Sequence, residues 1–194
     1  MIKLETPISE KTIRELKVGD EVYLNGRIVT ARDVAHKYMV EEKPDFLKSL
    51  LRESVIYHCG PVVKKENDQW KIVAAGPTTS AREEPYQATV IDHYTVRGVI
   101  GKGGMGDKTS AGLVKTGSVY FHAIGGLAAV LAECIKRVEA VHKLEEFGAP
   151  EAFWVLEAKD LPVIVTMDSH GRSLHKDVLS ESTKNYKDII EKIS

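Results

Sequence analysis

"QWKIVAAGPTTSAREEPYQATVIDHYTVRGVI", residues 69–100, runs from a β-rich segment through a Gly-Pro loop into helical spacing and back to a β-rich segment. The first run breaks at Gly76-Pro77. Residues 80–94 then keep helix-compatible spacing, with Pro85 acceptable in a first turn where its missing N–H does no harm. This order of strand, loop, helix and strand predicts an α/β or α+β fold whose ligand-bearing loops gather at strand ends.

Outward from this segment the same rhythm continues. "SVIYHCGPVV", 54–63, reads as a strand beside the 69–79 run, with the polar turn "KKEND" between them. "EVYLNGRIVTA", 21–31, is expected to be a hairpin turned at Asn25-Gly26, the dipeptide that best tolerates a type I′ turn. "ARDVAHKYM", 31–39, puts Val34, Tyr38 and Met39 on one helical side, with Arg32 and Asp33 at a strand-to-helix junction. "SVYFHAIGG" leads into "LAAVLAECIKRVEAVHKLEEFG", 127–148, expected as one long helix capped by Gly148. "AFWVLEAKDLPVIVTMDSHG", 152–171, reads as two strands around Leu161-Pro162, and "TKNYKDIIEKI" closes as an amphipathic helix. Neither a repeat nor a linker interrupts the 194 residues, which are expected to form one domain: a mixed sheet or flattened barrel covered by helices.

The composition, 43% hydrophobic and 28% charged, is that of a folded chain. Twenty-seven basic and 28 acidic residues leave a net charge of -1, so no bulk field recruits nucleic acid or an anionic membrane, and any anion site must be local. "MIKLETPISE" lacks the apolar core of a signal peptide, which makes the cytoplasm the expected location. Cys59 and Cys134 each sit in an apolar segment, as reduced buried thiols do, and two thiolates do not make a cluster site, which needs three or four.

"GKGGMG", 101–106, matches G-x-G-x-x-G, but Gly112, Gly117 and "AIGG" follow where an uninterrupted helix and a ribose-binding acid are needed. A P-loop fails as well, because Asp107 takes the lysine position and repels phosphate. Lys102 among glycines at a strand end either meets a small anion or marks an exposed turn. Arg32 and Arg82 each follow a strand and open a helix, where a guanidinium can fork onto a carboxylate, although either alone is an ordinary surface residue. Thr78, Thr79 and Ser80 serve either as N-caps of the next helix or as hydrogen-bonding groups at a ligand. The seven histidines show no metal spacing, and neither a G-x-S-x-G elbow nor a kinase motif set occurs.

"TARDVAHKYM", "IYHCGPV", "AAGPTTSAR", "IGKGGM", "FHAIGGLAAVLAECIKRVE" and "EEFGAPEAFWVLEAKDLPVIVTMDSHG", in this order over nearly the whole chain, resemble the β subunit, or C-terminal half, of the class I fumarase and tartrate dehydratase family. The resemblance implies a swivelling β/β/α domain that closes over a separate α subunit carrying a [4Fe-4S] cluster, in a heterodimer or heterotetramer inactive without that partner. It implies that Arg32, Arg82 and Lys102 bind the carboxylates of fumarate or malate, and that Thr78, with Lys102, serves the catalytic step at the carbon that exchanges a proton. Ala81 stands where many members have glycine, and "MDSHGRSLH" departs from the usual fumarase ending. That leaves fumarate and tartrate both open as substrates; a non-catalytic anion-binding domain is the alternative of another class.

Overall fold

A computed structural model describes residues 1–193. The first half runs β1 (Ile2–Glu5), α1 (Glu10–Arg14), β2 (Glu21–Thr30), α2 (Asp33–Glu41), α3 (Phe46–Leu51), β3 (Val55–Tyr57), β4 (Val62–Glu66) and β5 (Gln69–Ala74). A 3-10 turn (Ser80–Glu83) then feeds α4 (Glu84–Tyr94), β6 (Gly98–Gly101), α5 (Asp107–Thr116) and β7 (Val119–His122). The chain ends with α6 (Ala128–Glu133), β8 (Ile135–His142), α7 (Leu144–Phe147), β9 (Phe153–Met167) and α8 (Leu174–Ile193).

Strands β2, β3, β6 and β7 are parallel neighbours, and β9 lies antiparallel to both β7 and β2, so the five close into a mixed barrel. The expected flattened barrel in a mixed α/β fold is therefore what forms. Alternate residues of these strands feed two cores. One contains Leu24, Ile28, Tyr57, Phe121, Trp154 and Leu156; the other packs Val29, Ile56, Val99 and Val155 under Ala35, Met39, Leu51, Ile91 and Leu113 of the covering helices. On α2 the buried residues are Ala35, His36 and Met39, whereas Val34, expected on one helical side with Tyr38 and Met39, is 46% exposed. Among the described residues no helix is long and apolar enough to cross a membrane.

The expected hairpin at Asn25-Gly26 is instead a kink within one strand, β2. Register passes from Leu24 opposite Leu161 to Gly26 opposite Ala158, so β9 carries an extra residue there. Asp160 takes φ 51°, and its N–H is caught by Asn25 Oδ1 at 2.8 Å. Gly26 has φ +84°, and a Cβ on it would lie 2.6 Å from Thr6 Oγ1. The turn chemistry was real, but it serves a bulge. A two-residue hairpin does occur at Asn67 and Asp68, both at positive φ, joining β4 to β5. The expected neighbour of the 69–79 run is thus β4, while β3 belongs to the barrel.

Two more expectations are corrected. Residues 152–171 hold one 15-residue strand, β9, not two. Pro162 lies opposite Tyr23, between the β9 residues paired with β8 and those paired with β7, where no neighbour on that side needs its N–H. The long helix over 127–148 is also absent: α6 stops at Glu133 and β8 follows. Register shifts between Ile135 and Arg137 and between Val138 and Ala140 each add a residue, so Ile135, Val138 and Val141 all reach the core at every third position. Two bulges thereby turn a strand's period of two into an imitation of helical spacing. Gly148 does end a helix, the short α7, with its N–H on the Leu144 carbonyl at 2.9 Å.

Candidate functional site

The carboxyl ends of β2, β3, β6 and β7 lie side by side, and the loops leaving them form one face. The loop after β5 is drawn into that face by its backbone. Thr78 N–H donates to the His58 carbonyl (2.7 Å), Lys102 N–H to the Thr78 carbonyl (3.2 Å), and Ser80 N–H to the Lys102 carbonyl (3.0 Å). Residues 78–80 therefore form a short strand-like wedge between the extensions of β3 and β6, with Thr79 bridged in parallel to Lys102. The Thr78 hydroxyl also donates to the His58 carbonyl, at 3.2 Å.

Arg32 is the residue before α2. Its stem crosses Gly60, where an added Cβ would lie 2.7 Å from Nη1, and its Nε is 3.4 Å from Glu151 Oε1. Arg82, in the 3-10 turn, reaches Asp33 Oδ2 with Nη1 at 3.3 Å. Lys102 follows β6 and passes Gly125, where an added Cβ would lie 3.6 Å from its Cδ; among the described residues its ammonium has no acidic or hydrogen-bonding partner. The fold thus brings Arg32, Thr78, Arg82 and Lys102 to one strand-end face through a continuous set of contacts. A cleft of about 1110 Å³ lies elsewhere, between the β4–β5 hairpin, α6 and β8, and holds none of the four.

The reading of these hydroxyls as helix caps does not hold, since no side chain caps the 3-10 turn or α4. Ser80 instead points inward. Its Oγ is 2.8 Å from His58 Nδ1 and 2.9 Å from the Tyr120 hydroxyl. The Gln87 amide lies between the Nε2 atoms of His58 and His36, with Oε1 at 2.8 and 3.0 Å, and His36 Nδ1 is 2.9 Å from the Arg32 carbonyl. Burial holds His36 down to about 4, and burial followed by the nearby His36 holds His58 well below the ordinary imidazole range, so both rings are neutral. A carbonyl only accepts, so His36 Nδ1 carries the hydrogen and its Nε2 is bare. A neutral His36 therefore requires the NH₂ end of the Gln87 amide beside it, which gives that buried nitrogen an acceptor.

Glu83 is wholly buried, and burial together with the facing Asp33 pushes its carboxyl up to about 8. For Asp33 burial acts upward, but the hydrogen bond from Glu83 and the charges of Arg82 and Arg32 outweigh it and leave the carboxyl below its usual range. His36, His58, Ser80, Glu83, Gln87 and Tyr120 were not found as a group by sequence, because their only common property is proximity in space. At the far end of the glycine-rich loop, Glu84 accepts from Gly106 N–H (2.8 Å), Lys108 N–H (3.1 Å), Thr109 N–H (3.2 Å) and the Thr109 hydroxyl (2.6 Å). A carboxylate of the chain itself thus fills the α5 N-terminus, the position a nucleotide phosphate would need.

Among the described residues no group of three or more His, Cys, Asp or Glu side chains is arranged to hold a metal ion. Cys59 is buried with its thiol pushed up to about 12 by desolvation, and Cys134 is raised by its partial burial. Neither resembles a cluster thiolate.

The family model described as "Fumarase C-terminus" matches residues 1–178. A protein of Geobacillus stearothermophilus provisionally named fumarate hydratase class I is 52% identical over 183 residues, which are 94% of this chain and 35% of that protein. A protein of Methanocaldococcus jannaschii provisionally named L(+)-tartrate dehydratase subunit beta is 46% identical over 174 residues, 88% of this chain and 89% of that one. The L(+)-tartrate dehydratase subunit beta of Escherichia coli is 39% identical over 172 residues, 88% and 85% of the two chains. The chain thus spans about a third of the first of these relatives and most of the other two. With the match running from Met1 through the site loops and β9, the chain belongs to the fumarase C-terminal family.

Proposed function

We propose that the chain is the β-type half of a hydro-lyase for four-carbon dicarboxylates, interconverting fumarate and malate, completed by an α-type polypeptide. One observation carries this reading: Lys102, whose ammonium has no partner among the described residues, is tied by its backbone to the Thr78 wedge, at the strand ends that also carry two guanidiniums held by single carboxylates. A dicarboxylate can neutralise the free ammonium and compete with those single carboxylates for the guanidiniums, and three cations on loops of a closed barrel can orient it at both ends. Arg32, Arg82 and Lys102 are the proposed carboxylate contacts. Thr78 is the residue we assign to the carbon that exchanges a proton; its own hydrogen is committed to the His58 carbonyl, which leaves its oxygen free to accept.

The resemblance to class I enzymes also implies a [4Fe-4S] cluster. The two thiols here do not fit one, so we assign it to the α-type partner and derive no step on this chain from it. The whole is taken as a heteromer of the cytoplasm. Tartrate is the second reading, favoured by identity to two tartrate dehydratase β subunits over most of their length. Co-expression with the α-type partner under anaerobic conditions, and assay with fumarate, malate and both tartrates, tests these readings. Conversion of fumarate, with at least a tenfold loss in Lys102→Ala and in Thr78→Ala, is expected. A pair that binds dicarboxylates and turns none over would make this a non-catalytic anion-binding domain. Near-normal turnover in either variant removes that residue from the chemistry.

A further inference from the structure

Glu83 presents a contradiction that one proton resolves. Its side chain has no solvent exposure, and as a carboxylate neither Oε1 nor Oε2 finds a donor; the facing Asp33 Oδ1 is equally buried and equally without one. With both groups ionised, the buried Glu83 oxygens and Asp33 Oδ1 would bring like charges together where none of these atoms has water or a donor, although the Asp33 side chain is 39% exposed on its other side. A neutral Glu83 becomes a donor and satisfies Asp33, whose other oxygen, Oδ2, lies 3.3 Å from Arg82 Nη1. We infer that Glu83 is a positioning residue held as a neutral acid, and that its proton fixes Asp33 and, through Asp33, the Arg82 guanidinium that receives one end of the dicarboxylate.

No neighbouring cation takes over this role. His58 from the end of β3, 4.0 Å away through Nδ1, and His36 from α2 are both held neutral by burial. From β7 Tyr120 presents a phenol whose deprotonation burial opposes, and on α4 the Glu84 carboxylate is turned away onto α5. Among the described residues only Arg82 and, beyond Asp33, Arg32 carry positive charge toward the pair. Loss of the Glu83 proton therefore puts a second negative charge beside Asp33, which competes for Arg82 and draws it from its substrate-facing position.

The inference rests on the reading of Arg82 as a carboxylate contact, and the test separates the two. In the first arm the full chain, labelled with ¹³C at glutamate carboxyls, is titrated by NMR, with Glu83→Gln supplying the assignment. One neutral carboxyl resonance persisting to about pH 8 and missing in Glu83→Gln is expected. All glutamates ionised at pH 6.5 overturns the inference. In the second arm, on the assembled pair, KM for the dicarboxylate rises about tenfold between pH 7 and 9, with kcat changing far less, because only the neutral form presents Arg82. Glu83→Gln, whose amide donates at every pH, loses that rise, and Glu83→Ala carries a high KM throughout. A neutral Glu83 with the same KM rise in Glu83→Gln also overturns the inference. Arg82→Ala isolates the underlying reading: if it leaves KM unchanged, Arg82 is not a carboxylate contact whatever the state of Glu83.

Discussion

Gly101 has the nearest added-Cβ contact of the chain's glycines. A Cβ there would lie 1.8 Å from Ser80 Oγ, 2.9 Å from the Tyr120 hydroxyl and 3.2 Å from His58 Nδ1. No rotamer change of one side chain relieves all three, so Gly101→Ala is expected to destabilise the fold by about 2–4 kcal/mol and to displace the 78–80 wedge. Chemical denaturation measures the first effect, and loss of amide protection at Thr78 and Lys102 measures the second; wild-type values in both would refute the account. At this scale the sequence was legible only in part. Local rules left Thr78, Arg82 and Lys102 divided between a cap, a surface cation and a turn on one side and ligand contacts on the other, and it took their combined pattern to nominate them. The inward bonding of Ser80 and the whole role of Glu83 stayed hidden because their partners, Tyr120 and Asp33, lie 40 and 50 positions away in a direction no periodicity encodes.

At the scale of elements, errors arose where a strand departs from regular pairing. Asn25-Gly26 signals positive φ, and a hairpin turn and a bulge both need that, so the dipeptide could not distinguish them. The bulges of β8 similarly disguised a strand as a helix, while 80–94 read as helical because only a 3-10 first turn, Ser80–Glu83, departs from α spacing there. Gly26→Ala should cost about 1–3 kcal/mol, combining strain at φ +84° with contact against Thr6, and urea midpoints check it. Glu84→Ala should cost about 1–2 kcal/mol by stripping the first turn of α5 of its acceptor, with faster hydrogen exchange at Gly106, Lys108 and Thr109 as the local signature. Exchange rates unchanged at those three amides would sink the capping assignment.

For the whole molecule, three buried groups shape stability against pH in opposite senses. His36 and His58 stay neutral in the native state, whereas the unfolded chain takes up protons below about 6.5, so acidification below that value destabilises. Glu83 keeps its proton to about 8, while an unfolded glutamate loses it near 4.5, so stability falls as pH climbs between those values. Two histidines outweigh one glutamate below 6.5, and above it the glutamate acts alone. These groups place a stability maximum near pH 6.5, and Glu83→Gln should flatten its alkaline side. Melting temperatures across pH 5–9 test this; an alkaline slope that persists in the variant contradicts it.

The barrel itself has a timing consequence. Arg32, Thr78, Arg82 and Lys102 all precede β9, yet β9 is the strand that joins β7 to β2 and closes the ring. A chain emerging from the ribosome therefore carries every charge of the site before any enclosure exists to hold them together. Until Phe153–Met167 has been synthesised and has docked, the edges of β2 and β7 lie open and the strand ends are free to splay. Closure by β9 is thus the step that holds the loops of the site together.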